Sequence, residues 1–251
     1  MTRTAAFKYM MGEWLRLFRA VNLPTVPGDV LAGAGLAVAQ NHALLTGSGP
    51  RAIGFAAVSS VFVYMFGLAD NDIVGAATDR NRPIPSGAIS PVSARIARGG
   101  CVAAAIAAGL AGRLSFAWWA AAFALLVSAV VYNRTKNCVL MGLCRGLNFA
   151  CGICAAGGGA ESFSGFSPFL AVVLWTAYIA TVTRLSEGEE NDPAKKRRTG
   201  ALVGGIVYMQ LAVLVAVTLA YPPCMPLLVA GAVLLAVLRV CKYTMPRVEA
   251  S

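Results

Sequence analysis

From residue 23 to residue 240 the chain passes through one apolar run after another, broken only by short polar links. About 20 predominantly apolar residues make one helical crossing of a bilayer. Inside lipid every backbone N–H and C=O must be paired within its own segment, so runs of this kind fold as helices. They predict spans over 23–39, 52–69, 92–110, 114–132, 138–156, 166–183, 201–220 and 225–240. With 58% hydrophobic and 13% charged residues and a mean hydropathy of +0.68, the chain lies outside the soluble globular class. The expected fold is all-α: a polytopic membrane bundle of about eight transmembrane helices in a single domain, 1–251.

Local residues fit this division. Pro24 and Pro27 suit the first turn of the first span, where a missing N–H costs little. The third span is rich in Ala and Gly, which lets helices approach closely in lipid. Trp118 and Trp119 open the fourth near the interface, and a Gly triplet from Gly157 ends the fifth. Residues 1–20 carry Arg3, Lys8, Arg16 and Arg19 with Trp14 and Phe18 between them, the pattern of an amphipathic helix lying in the membrane surface rather than a cleaved leader. Eight spans put both termini on one side. All basic residues except Arg51 and Arg113 then fall on that side, which the positive-inside rule makes cytoplasmic. The net charge of +10 is explained by topology, without nucleic acid. The seven cysteines fall mostly inside apolar runs and behave as small hydrophobes; Cys151 and Cys154 form a CxxC with no second pair at zinc spacing.

Charge is concentrated in two places. The stretch DNDIVGAATDRNRPIPSG begins at Asp70, directly after the second span, and RLSEGEENDPAKKRR begins at Arg184, directly after the sixth. Of eleven acidic residues, Asp70, Asp72, Asp79, Glu187, Glu189, Glu190 and Asp192 all lie in these two clusters. Carboxylates gathered at two helix ends repel one another unless a cation sits between them, and Mg²⁺ suits hard oxygen ligands together with phosphate oxygens. Arg80, Arg82 and the basic run from Lys195 to Arg198 stand beside them, so one site would hold a metal through carboxylates and anionic oxygens through guanidinium groups. A lipid diphosphate, its other end among apolar helices, fits this description. Arg145 and Asn148 share one face of the fifth span at i and i+3. At membrane depth they face a cavity or a partner, with Arg145 directed at the diphosphate or snorkelling to the headgroups. Asn22 and Asp29 either line the same cavity or, for Asn22, cap the first span.

The run YMFGLADNDIVGAATD from Tyr64, followed by RPIPSG from Arg82, resembles the first aspartate-rich motif of the UbiA superfamily of intramembrane prenyltransferases. MGLCRGLN from Met141 and RLSEGE from Arg184 resemble its EboC-like branch. The resemblance implies a helical bundle whose central cavity opens to the membrane and holds a prenyl diphosphate through Mg²⁺ between two acidic motifs. It implies metal ligation by Asn71, Asp72, Asp79, Glu187 and Glu190, and substrate contacts from Asn22, Asn71, Arg80, Arg82, Asn148, Arg184 and Lys195. Asp72, Asp79 and Arg145 become the catalytic set, and an acceptor of unknown identity, aromatic or lipid, is alkylated. The setting implied is a bacterial inner membrane with both termini and the acidic loops cytoplasmic.

This sequence departs from the family pattern. Gly75 stands where the middle Asp of the motif is expected, the link from Asp79 to Arg82 is short, the second motif is built on Glu, and eight spans replace nine. Two readings therefore stay open: the Mg²⁺-dependent prenyltransferase, and a catalytically silent relative that binds or helps move a lipid or small precursor alongside membrane-protein partners. Either acidic cluster, or the basic run, also reads as a solvated face or a topology signal. A CDP-alcohol phosphatidyltransferase would need a second Asp where Gly75 stands, and a secondary transporter would need more charge near the bilayer middle.

Overall fold

In the computed structural model of the chain, the structure describes residues 3–41, 49–77, 82–157, 166–188 and 192–244. The described residues form α1 (Arg3–Leu17), α2 (Thr25–Gln40), α3 (Gly49–Val74), α4 (Pro91–Gly112), α5 (Phe116–Thr135), α6 (Cys138–Gly157), α7 (Phe166–Ser186), α8 (Pro193–Ala220) and α9 (Met225–Thr244), with no strand among them. Seven of these, α3 to α9, are long and apolar enough to cross a membrane. The eighth expected span is α2, which has 16 residues and is buried along most of its length.

Helix ends follow local chemistry. Pro24 sits at the N-cap of α2 with helical φ, and Pro27 lies in its first turn, so neither removes an intrahelical bond. Ser90 and Ser115 cap α4 and α5 by accepting from the Ser93 and Trp118 backbone N–H groups. Two elements outrun the apolar runs that predicted them. Asp70, Asn71 and Asp72 belong to the last turns of α3, which closes through a 3-10 turn at Gly75–Ala77. The basic run Lys195 to Arg198 belongs to the start of α8, with Asp192 as N-cap and Pro193 at the first helical position. A helix keeps its backbone paired as it leaves the hydrocarbon, so nothing ends it where hydropathy falls.

Helices α2 and α6 form the centre. α2 packs on α3, α6, α8 and α9, and α6 packs on α2, α3, α5 and α7. Their crossing is close because Gly33 and Gly152 lie in it: a Cβ on Gly33 would strike the Phe149 carbonyl, and one on Gly152 the Val30 carbonyl. Around this crossing Phe149, Ile153, Trp175, Leu214 and Val38 form the main core, with the Phe149 and Trp175 rings 5.1 Å apart. A second cluster joins Val30, Ala56, Trp118 and Cys151. Large apolar side chains such as Ile106, Phe116, Phe123, Leu174, Leu219 and Val233 point outward, as a lipid-facing surface requires.

Polar ends alternate as charge placement anticipates. The C-terminal ends of α3, α5 and α7 and the N-terminal ends of α4, α6 and α8 carry the clustered charges, whereas Arg51 donates to the Ala111 carbonyl at the opposite ends of α3 and α4. On the charged end α1 packs Leu17, Trp14 and Phe18 over Ile84, Ile89 and Ala94, and exposes Phe7, Tyr9, Met10 and Met11. Gly152→Ala is expected to lower stability by about 1–3 kcal/mol through forced separation of α2 and α6. Thermal unfolding in detergent measures this, with Gly54→Ala, where a Cβ meets nothing within 4 Å, expected to match the parent.

Candidate functional site

The charged end holds a cavity of about 240 Å³. Its walls are Val26, Val63, Leu68, Leu125, Ala129 and Met141, with the rings of Tyr64 and Tyr132 among them. Its mouth is cationic: Arg19, Arg82, Lys136 and Arg145 all line it.

Each cation is placed by local structure. Arg82 opens a compact link in which the Ser86 N–H donates to the Arg82 carbonyl and the Gly87 N–H to the Ile84 carbonyl, 3.0 Å each. Gly87 takes φ 78°, a left-handed conformation that glycine adopts without strain. Arg82 Nη1 then donates to Asp72 Oδ1 at 2.8 Å. Arg19 joins α1 to the following 3-10 turn with φ 41° and ψ 53°. Such a conformation is costly for a side chain with a Cβ and persists where surrounding structure enforces it. Lys136 ends α5, also left-handed at φ 54°, and its ammonium donates to Asn71 Oδ1 and lies 5.7 Å from the centre of the Tyr132 ring. Partial burial and the neighbouring Arg82 and Arg19 charges push Lys136 below the ordinary lysine range, while Asp72 and Asp70 pull the other way.

Arg145 is held from behind. Its Nε lies 2.9 Å from Asp29 Oδ2, and Nη2 donates to Asp29 Oδ1 at 3.1 Å and to the Thr25 carbonyl at 3.0 Å. Asp29 is fully buried and also accepts from Asn148 Nδ2 (3.1 Å), Trp175 Nε1 (3.2 Å) and Gln210 Nε2 (2.7 Å). One carboxylate thus gathers donors from α6, α7 and α8 onto α2. A second buried carboxylate, Asp70, bonds Arg98 at 2.8 Å and Asn133 at 3.0 Å, tying α3 to α4 and α5.

Of the sequence-predicted residues, Asn71, Arg82, Arg145 and Asn148 line the cavity, and Asp72 stands behind Arg82. The Asn22 side chain is half-buried and outside the lining; its carbonyl accepts from Thr25 Oγ1 at 2.8 Å. Arg184 and Glu187 are exposed, and Lys195 donates to the Glu187 carbonyl, so these three do not line the cavity. Asp192, counted with the second acidic cluster, is a helix cap that accepts from Ala194 and Lys195 N–H groups. Asp79, Arg80, Glu189 and Glu190 lie outside the described residues. Sequence reading left Arg19 and Lys136 as topology charges and gave Gln210 and Trp175 no role. A buried amide in an apolar run was the available signal for Gln210. Among the described residues no three His, Cys, Asp or Glu side chains come together as a metal cage, and Asp72 and Asn71 each already face a cation. The described donor set alone therefore does not make a Mg²⁺ site.

A model of the UbiA prenyltransferase family matches residues 30–245. The fold is similar to that of a UbiA homolog from Archaeoglobus fulgidus bound to DMAPP and Mg²⁺, at 17% identity and a TM-score of 0.58 over 92% of this chain and 86% of that one. A UbiA homolog from Archaeoglobus fulgidus bound to GPP and Mg²⁺ matches at 18% identity, again with a TM-score of 0.58 over 92% and 86%. A digeranylgeranylglyceryl phosphate synthase matches at 16% identity and a TM-score of 0.53, over 96% and 92%. At these identities the likeness speaks for the fold. No curated protein matches the chain.

Breaking a buried ion pair from one side leaves a charge without its partner, at a cost of about 3–5 kcal/mol, whereas replacing both members by apolar groups is often neutral. Arg145→Met is expected to destabilise the protein by roughly that amount. Asp29→Leu is expected to cost at least as much. The double variant Asp29→Leu/Arg145→Met is expected not to recover the loss, because Asn148, Trp175 and Gln210 lose the carboxylate they donate to, read from thermal unfolding of the purified proteins.

Proposed function

The chain belongs to the UbiA prenyltransferase family, and on that footing we propose that it transfers a prenyl group from an isoprenoid diphosphate to an acceptor not yet identified, aromatic or lipid. The observation that carries this is an apolar cavity with a mouth of four cationic side chains. Arg19, Arg82 and Lys136 meet the diphosphate oxygens, and Arg145, fixed side-on by Asp29, adds a further donor at the wall. As the allylic C–O bond breaks, its electrons leave with the diphosphate, and fixed positive charge stabilises that developing anion. The allylic cation lies between apolar walls and the faces of Tyr64 and Tyr132, which favour positive charge. The acceptor then forms the new bond and releases a proton.

Mg²⁺ belongs to the proposal as the counter-ion of the diphosphate. Its support is the first acidic motif and the Mg²⁺ bound with prenyl diphosphates in the structural neighbours. The ligands proposed are Asp72 and Asn71 with Asp79 and Glu190, which lie outside the described residues; Glu187, exposed and off the cavity, is not among them. Asn22, Arg184 and Lys195 lie outside the cavity lining and are given no substrate contact in this reading, and Arg80, outside the described residues, remains a proposed one. The single domain, the interfacial setting of α1, the EboC-like branch and the bacterial inner membrane with cytoplasmic termini form part of the same reading. A second reading, binding or movement of a lipid or small precursor without chemistry, is favoured by Gly75 in the motif and by the cations already facing Asp72 and Asn71.

The test is diphosphate release by purified protein in lipid, with prenyl diphosphates and a membrane lipid extract as the source of acceptor. Arg82→Ala and Lys136→Ala are expected to lower kcat/KM by about 10²–10³-fold, the range for removal of one preorganised donor. Chelation of Mg²⁺ is expected to abolish release; release unchanged by chelation would strike Mg²⁺ from the proposal. Tight donor binding with no release in either condition would favour the second reading.

Donor affinity is also expected to depend on pH. A bound anion favours the Lys136 ammonium, whose pKa is lowered in the free protein. Affinity is therefore full below that lowered pKa and falls as pH rises through it, before the ordinary lysine range is reached. Lys136→Arg keeps its charge and is expected to move the fall to higher pH in titrations of donor binding.

A further inference from the structure

Two of the four mouth cations are anchored inside the bundle: Arg145 by Asp29 and Thr25, and Lys136 at the end of α5. The other two rest on α1. Arg19 follows its last turn; its backbone N–H donates to the Arg16 carbonyl at 3.0 Å and its carbonyl accepts from Asn22 N–H at 2.8 Å. Arg82 opens the link on which α1 lies. Leu17, 1% exposed, packs with Ile84, Ile89 and Ala94, and the stacked rings of Trp14 and Phe18, 5.8 Å apart, lie against them. The Ile89 N–H donates to the carbonyl of Pro83, the buried residue next to Arg82. The seat of α1 thus sets where both cations stand.

The first half of α1 leaves the bundle. Phe7, Tyr9, Met10 and Met11 are 46–56% exposed, Lys8 is exposed, and a Cβ on Gly12 would meet nothing within 4 Å. Successive helical residues point about 100° apart, so the exposure runs all round the helix. An uncovered apolar segment of this kind marks an interaction site. A stable protein interface engages about 20–30 residues a side, far more than this segment offers. Aromatic and Met side chains around a lysine instead suit the boundary between lipid and water. The same end of the bundle exposes Arg95, Arg134, Arg184, Arg197 and Arg198, so the bilayer surface that complements it is anionic.

Resting on the prenyl-diphosphate reading above, we propose that α1 is a brace for the mouth, that an anionic bilayer surface holds it through Phe7 to Met11, and that this hold tightens donor binding. Surface and donor favour the same seated α1. The surface does so because a docked first half limits where the helix can lie, and the donor because the seat aligns Arg19 and Arg82. Two ligands that favour one state of a protein strengthen each other's binding reciprocally, typically by about 5–150-fold. Leu17, Trp14 and Phe18 are positioning residues that act through those two cations.

The experiment uses the full chain in vesicles of phosphatidylcholine with phosphatidylglycerol. Irradiated Tyr9→p-benzoylphenylalanine is expected to form an adduct with lipid. Phe7→Ser/Met10→Ser/Met11→Ser is expected to weaken binding of an unreactive prenyl thiolodiphosphate by about fivefold or more, with thermal unfolding matching the parent. Cross-linking to a second copy, or no lipid adduct, overturns the docking. A lipid adduct together with donor affinity less than fivefold below the parent overturns the coupling. Should the triple variant fail to fold, Lys8→Glu replaces it. One basic residue near an anionic surface is worth about fivefold, so this reversal is expected to weaken donor binding by about that factor in the mixed vesicles and not in phosphatidylcholine alone. Unchanged affinity, or an equal loss in both lipids, overturns the coupling. No thiolodiphosphate binding by the parent would instead overturn the prenyl-diphosphate reading, and the lipid adduct would still decide the docking.

Discussion

The buried carboxylate of Asp29 is the point on which the bundle turns. It lies in the first turns of the shortest central helix and collects donors from three others: Arg145 and Asn148 from α6, Trp175 from α7 and Gln210 from α8. Hydrophobic contact between membrane helices is a weak guide to register, because lipid tails are as apolar as the side chains. A single polar hub removes that ambiguity, since a slip of one turn would leave several buried donors unanswered. The glycine crossing of α2 on α6 does the complementary work by letting the backbones come near enough for these short bonds to form.

The charged mouth depends on that arrangement. Arg145 reaches the cavity wall with its position set from the far side by Asp29 and Thr25. Arg82 is set by a compact proline-rich link and by Asp72. Arg19 and Lys136 both sit at left-handed joints, where one element stops and another begins. Cations brought together in this way repel one another, and an anion relieves that repulsion. Gathered cations above a mostly apolar wall are the arrangement from which the proposed diphosphate reading follows.

Much of the fold is legible in the sequence because lipid leaves few alternatives to a helix. Apolar runs locate every described span, with most bounds within a few residues but α8 starting at Pro193 and α3 ending at Val74, and the alternation of basic links locates the shared end of the charged clusters. The errors fall at the polar ends of α3 and α8, where hydropathy stops but backbone pairing continues. The site was only partly legible. Asn71, Arg82, Arg145 and Asn148 were found from their motifs or from polarity within an apolar run, and the cavity gathers all four. Arg19 and Lys136 carry no such mark; in sequence they are two more positive charges beside a membrane span. Acidic residues were misleading in the other direction. Asp70 is two positions from Asp72 yet serves an internal pairing with Arg98 and Asn133, and Asp192 is a cap, because helical phase and capping geometry decide their roles, not their proximity in the chain.

The polar hub and the walls of the hollow are borne largely by different helices. Asp29 and its partners occupy α2, α6, α7 and α8, whereas Ser60, Val63, Tyr64, Leu125 and Ala129 sit on α3 and α5. Side chains that form the wall on α3 and α5 are thus separate from most of those that keep the assembly in register, with Arg145 and Asn148 belonging to both sets. Such a partition gives the scaffold room to drift: residues on one half can be exchanged to suit a different guest while the other half continues to hold the architecture together.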